Sequence, residues 1–410
     1  MFYRSLSKLL KGSVSVYRPL RGFHGGHVDG CGANPVALQM IDYALSLARS
    51  IKSDESYAEG MLVLEQCLAS SSSIDESNAG SSSNSKGMVL LAMSDLLFAR
   101  GKYGDAMDKL QRIPHLTNAS LGLRVAAMEA LVGINLQLGD DMASSVLADK
   151  CLEIVDKTKD EELENVRLRA KSVKGLVELA SGNTESAKTF FEGMKMDDVG
   201  PYSLSYGEFL HVTDNLAEAK EVYQKVMKAV SNTKEFTSIK SLSACNMERS
   251  ETVVAAACTL GQLQSHLGDF DSAEKTLTSA LKEAEQSFGL RHPKVGVVLT
   301  CLALMFRRKG ISEKESSLIV EEGLYRRASE LLKVPPLESE DGEGGGLKEM
   351  ASIVRGGYAQ VVGLYENRKT EAGKMKRWAE INWNKAYASL PHVLNATKLT
   401  VIDSRICRAL

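Results

Sequence analysis

Proline is scarce in this chain, at 8 of 410 residues, so few positions are barred from helix. Alternating runs of Val, Ile and Thr are scarce as well, which leaves little sequence suited to a sheet. No apolar stretch approaches the roughly 20 residues that a membrane span needs. The net charge is only −2, so there is no overall basic field to hold nucleic acid. Seven cysteines are present: Cys31, Cys67, Cys151, Cys245, Cys258, Cys301 and Cys407. Their odd number, wide spacing and lack of any Cys-x-x-Cys pair point to neither a zinc site nor a disulfide framework. They read as small core hydrophobes. A Walker loop, a dinucleotide fingerprint, His-Glu-x-x-His and Gly-x-Ser-x-Gly are all missing. The expectation is therefore a non-enzyme with no catalytic residues, no metal and no cofactor.

What the chain does have is Leu, Ala, Glu, Lys and Met, the helix formers. Its length exceeds what one compact core needs, yet no composition break divides it, which suits an array that grows by adding units. Copies of a helix–turn–helix unit align on one frame. The best is 254–287: Leu260-Gly261, the turn Gly268-Asp269-Phe270, then Ala273, Leu277 and Ala280. The glycine takes the positive φ that ends the first helix, and Asp269 caps the second. Small residues at fixed positions let the two helices approach. Weaker copies centre on Gly60, Gly101-Lys102-Tyr103, Gly139-Asp140, Gly175 with Gly182-Asn183, Gly207 with Asp214-Asn215, and Leu302-Ala303 with a turn at Gly310.

Over residues 41–332 this pattern resembles the tetratricopeptide-repeat superfamily. The run Phe288-Gly289-Leu290-Arg291-His292-Pro293-Lys294-Val295 is similar to the longer repeat of kinesin-light-chain type. The whole is similar to plant organellar tetratricopeptide-repeat proteins. The resemblance implies an all-α, right-handed solenoid of antiparallel helix pairs. Its expected divisions are a transit peptide at 1–28, a degenerate repeat at 29–69 and a flexible Ser-rich insertion at 70–86. The solenoid follows at 87–332, then an acidic Pro/Gly linker at 333–346 and a C-terminal helical cap at 347–410. His292 shapes the turn before Pro293, and the acids at 338–343 read as a solvated spacer.

Residues 1–28 carry Arg4, Lys8, Lys11, Arg18 and Arg21 among serines, with no acid before Asp29. Phe2, Leu6, Leu9 and Leu10 share one helical face. A basic, acid-free, amphipathic start is the pattern of a mitochondrial transit peptide, with plastid or cytoplasmic placement as alternatives. His24 and His27 lie in this segment and read as part of it, not as a metal site.

The resemblance puts the first helix of each pair on the concave surface. Its inward positions are Glu208, His211, Gln262, His266, Arg307 and Arg308, which form the expected groove for a protein or peptide partner. The leading function is a non-catalytic scaffold or adaptor for assembly, import or complex maintenance. The rivals are a cytosolic kinesin-light-chain-like cargo adaptor and an organellar RNA-binding helical-repeat protein. The second would need a basic groove that the charge does not offer. No nucleic acid is expected as a partner.

Overall fold

A computed structural model describes residues 32–70, 79–157, 164–194, 203–232, 249–314, 318–337, 347–383, 385, 388–395 and 399–410. The expected transit segment, 1–28, lies outside them, as does most of the acidic linker.

The described chain folds into antiparallel helix pairs that pack in sequence order, a tetratricopeptide-like helical repeat. The first pairs are α1 (Pro35–Ile51) with α2 (Asp54–Ser70), α3 (Ala79–Ala99) with α4 (Tyr103–Gln111), and α5 (Leu121–Leu138) with α6 (Asp141–Asp156). Next come α7 (Glu164–Ala180) with α8 (Thr184–Phe191), α9 (Leu204–Val212) with α10 (Leu216–Asn232), and α11 (Arg249–His266) with α12 (Phe270–Phe288). The last are α13 (Pro293–Glu313) with α14 (Leu318–Leu331), and α15 (Lys348–Val362) with α16 (Lys369–Asn382). A short α17 (Leu390–Leu394) precedes two strands, β1 (Ile402–Asp403) and β2 (Arg408–Ala409), paired antiparallel.

One turn is used repeatedly between the helices of a pair. Gly101, Gly139, Gly182 and Gly268 have φ of 70°, 80°, 81° and 79°, and Asp214 takes the same role at 66°. In each, the next amide reaches back five residues: Lys102 to Leu97, Asp140 to Asn135, Asn183 to Glu178, Asn215 to Leu210, Asp269 to Gln264. This is the Schellman closure, which satisfies carbonyls that a helix end leaves open. Asp140 and Asp269 then accept from the amides of Ala143 and Ser272 and start the following helix.

The second helices are amphipathic. α12 buries Phe270, Ala273, Leu277, Ala280 and Ala284 along one stripe and leaves the rest to solvent. Some first helices are buried on nearly every side, as α5 is and α13 is up to Met305, whereas α1 buries a single stripe of Ala37, Ile41, Ala44, Leu45 and Ala48. Contrary to the expectation that no stretch approaches a membrane span, Leu121–Leu138 is long and apolar enough to cross a membrane by length and composition. Here it is a core helix, packed between its neighbours.

Three local expectations change. The turn expected at Gly310 is displaced: α13 runs through it to Glu313, and Lys314 takes the left-handed turn at φ 57°. A mid-helix glycine costs only about 1 kcal/mol, which the packing of α13 outweighs. The Ser-rich insertion at 70–86 is helical from Ala79 onward, while 71–78 lie outside the described residues. Asn84 and Ser85 are buried there, accepting from the amides of Ser120 and Asn34. The C-terminal segment is only partly a helical cap. α15 and α16 extend the stack, but 401–410 turn back as a hairpin.

The stack also curls onto itself. The Lys52 ammonium donates to the Gln286 carbonyl, and Lys294 sits 5.2 Å from the Phe98 ring and 5.5 Å from the Phe288 ring. Its first pairs thereby meet its sixth and seventh.

Close approach within a pair depends on missing side chains. A Cβ at Gly261 would lie 2.5 Å from Leu277 Cγ, whereas one at Gly323 meets nothing within 4 Å. Gly261→Trp should therefore destabilise by ~1–3 kcal/mol or more. Gly323→Ala should stabilise by roughly 0.5–1 kcal/mol through its helix preference alone. Thermal melts followed at the helical circular-dichroism band check both signs. Equal melting temperatures for the two variants would refute this packing.

Candidate functional site

The concave face is lined by the first helix of each pair, and it is not empty. Residues 401–410 lie within it, every one of them buried. β1 and β2 pair Ile402 with Ala409 and Asp403 with Arg408, and Leu410 N–H donates to the Val401 carbonyl. The apolar side chains divide between two cores. Ile402, Cys407 and Ala409 join the core of α11–α16, while Ile406 and Leu410 join that of α5–α11.

The polar contacts come from separate helices. On α11 the Gln262 amide accepts from Ile402 N–H at 2.8 Å and donates to Ile402 C=O at 2.9 Å. It reads the main chain as a neighbouring strand would. On α9, Glu208 Oε2 accepts from Arg405 Nη2 at 2.5 Å and Ser205 Oγ accepts at 3.1 Å. Asp403 holds the same guanidinium through both oxygens. Arg405 and Glu208 side chains are both 0% exposed. Arg408 pairs with Asp141 at the start of α6 and with Glu349 on α15, and donates to the Leu136 carbonyl of α5. Glu349 also accepts from Ala409 N–H, and Lys385 donates to the Ala409 and Ala180 carbonyls.

Burial and the neighbouring charges pull on these groups in opposite directions. It pushes Glu208 well above the ordinary carboxylate range; Arg405 opposes that shift and Asp403 reinforces it. Burial acts against the charge on Arg405, but Asp403 and Glu208 more than offset it and raise its pKa. Burial lowers Lys385 to about 8 despite Glu349. Removing one partner of such a buried pair typically costs ~3–5 kcal/mol, because a desolvated charge is left behind.

The six residues expected in the groove fall into three groups. Glu208 and Gln262 contact the hairpin directly. His211 and His266 are joined, Nε2 to Nδ1, at 2.7 Å, and Tyr223 lies 3.3 Å from His211 Nδ1. They tie α9 to α11 beside the hairpin rather than touching it through a hydrogen bond that the structure shows. Arg307 is turned toward Glu321 of α14 at 3.9 Å. Arg308 stands on the wall of a small cavity of about 30 Å³, together with Gln262, His266, Thr400 and Ile402. Its Nη1 is buried and has no hydrogen-bond partner. Cys258 and Cys301, on adjacent helices beside this cavity, are 3.4 Å apart as free thiols.

Sequence reasoning did not find Ser205, Asp141, Glu349, Lys385, Arg405 or Arg408. The one available signal was the spacing of two arginines, Asp-Ser-Arg-Ile-Cys-Arg, in a segment read as helix. Among the described residues no three His, Cys, Asp or Glu side chains converge to hold a metal ion. What the arrangement offers chemically is recognition: an amide for extended main chain and carboxylates for guanidinium.

A family model described as tetratricopeptide repeat matches residues 254–287, most of α11 and nearly all of α12. A repeat of this kind is in general a protein–protein interaction module, usually without catalysis. No curated protein matches the chain. The run that resembles the kinesin-light-chain type forms the α12–α13 connection, where His292 Nδ1 accepts from Lys294 N–H and caps α13.

Buried groups make stability depend on pH in opposite directions, and His211 and Glu208 illustrate the two. Burial, with Arg308 nearby, holds His211 at about 3 against an ordinary 6.5. The unfolded chain takes up this proton as pH falls through 6.5, and the folded chain does not. Stability is unaffected above that point and declines below it, by about 2 kcal/mol at pH 5 from this group. Glu208 has the raised pKa instead. Its contribution is complete below the usual carboxylate range and is lost as pH rises through the raised value. Unfolding at pH 7.5 and 5.0 measures the acid arm. His211→Leu should flatten that decline by about one proton's worth of slope; an unchanged slope would mean that the imidazole is solvated.

Proposed function

We propose that the chain is a non-catalytic protein–protein interaction scaffold that receives an extended peptide segment on its concave face and works in mitochondria. The observation that carries the reading is the Gln262 amide, which holds both the N–H and the C=O of Ile402. A side chain used in that way recognises main chain irrespective of sequence, and flanking carboxylates then select what the segment carries. Assembly, import and complex maintenance all require holding such a segment. The mitochondrial setting is supported by the acid-free basic start at 1–28. The kinesin-light-chain-like alternative has the α12–α13 connection in its favour and places the same scaffold in the cytosol.

Two experiments test this. Residues 1–28 fused to a fluorescent reporter should reach mitochondria; a diffuse cytosolic reporter would favour the cytosolic adaptor. For the binding face, affinity capture from isolated mitochondria is compared across variants. Arg308→Glu should lose a partner that the wild type recovers. The control, Lys275→Glu with Lys282→Glu on the exposed side of α12, should keep it. Equal recovery by both would remove the concave face from the account, and equal loss would point to net charge.

A further inference from the structure

We propose that residues 401–410 are a built-in ligand of the concave face, and that the external partner is an extended segment with an arginine over Glu208 and a carboxylate over Arg308. This rests on the scaffold reading above and names its ligand.

The hairpin meets the stack through side chains of several helices, and among the described residues its two strands pair only with each other. It is therefore seated as a ligand is seated, by an amide on its main chain and by carboxylates on its arginines. The pocket receiving Arg405 is built from α9 residues Ser205 and Glu208, and Glu129 of α5 also lies on its wall.

The fit is incomplete at two points. Glu208 Oε1 is buried without a hydrogen-bond partner even with Arg405 in place. Arg308 Nη1 is likewise buried and unpartnered, beside Thr400 across the small cavity. A buried donor or acceptor left unmade costs the folded state its full desolvation penalty. A segment that kept the arginine but placed an acid where Thr400 lies would satisfy Arg308 with a charge-assisted bond, the stronger kind. Such a segment has a contact that the resident hairpin lacks. It needs that advantage, because a tethered competitor acts at an effective concentration of the order of millimolar.

The test uses the full chain and a fluorescent peptide with the sequence of residues 399–410, read by anisotropy. The full-length variant Arg405→Ala with Arg408→Ala should release its own hairpin and bind the peptide. The wild-type chain should bind it at least roughly tenfold more weakly. A peptide carrying Thr400→Asp should bind the opened chain roughly tenfold tighter than the parent peptide, and one carrying Arg405→Ala should not bind. If the variant retains its helical signal but binds none of these peptides, or binds parent and Thr400→Asp peptides equally, the proposal is overturned. A second measurement covers a variant that fails to fold. In the wild type, the Ile402, Ala409 and Leu410 amides should exchange hydrogen at least roughly tenfold faster than those in the middle of α11. Equal protection would make the hairpin permanent core and overturn the proposal. A partner captured through Arg308 by a chain whose hairpin never opens would leave the scaffold standing and sink only the built-in ligand.

Discussion

A guanidinium with no access to water has to be neutralised where it lies, and Arg405 imposes that requirement on the rest of the fold. Its counter-charges are Asp403, two residues away, and Glu208, 197 residues away. Satisfying both requires that the concave face be presented as one surface and that the end of the chain return to it. The amide of Gln262 and the pairing of Arg408 with Asp141 and Glu349 fix the same segment from other directions. Together these contacts link helices from the third to the eighth pair.

This explains a feature of the first helices that a simple solenoid would not show. On an open array their inward faces would be wetted and polar. Here α5, and α13 up to Met305, are buried nearly all round, because neighbours cover their flanks and the hairpin occupies the concave face. Among the buried or partly buried polar groups of the first helices, four carboxylates each have a cation opposite. Glu129 has Arg169, Glu251 has Lys294, and Glu208 and Glu349 have the hairpin arginines.

The repeat unit was legible because its determinants are local. Gly268-Asp269-Phe270 states a left-handed turn and a cap within three residues, and Ala273, Leu277 and Ala280 state the packed stripe. Inward positions followed from the frame, so Glu208, His211 and Gln262 could be named. The occupant of the face could not. A hairpin with two-residue strands is too short to show alternation, and its turn contains Cys407 at φ 54° where a glycine would have signalled it. The partner of Arg405 depends on how far the stack curls, a sum of small rotations that no single repeat records. The same limit hid the helix at 79–86, whose Asn84 and Ser85 are stabilised by the distant amides of Ser120 and Asn34.

The central claim is that Arg405 lies against Glu208, and a double-mutant cycle measures it most directly. Glu208→Gln, Arg405→Met and the double variant are unfolded in urea beside the wild type. Contact between the two side chains predicts a coupling energy of at least about 1 kcal/mol, with the double variant less destabilised than the sum of the singles. Additivity within about 0.5 kcal/mol would place the two side chains apart and contradict the account.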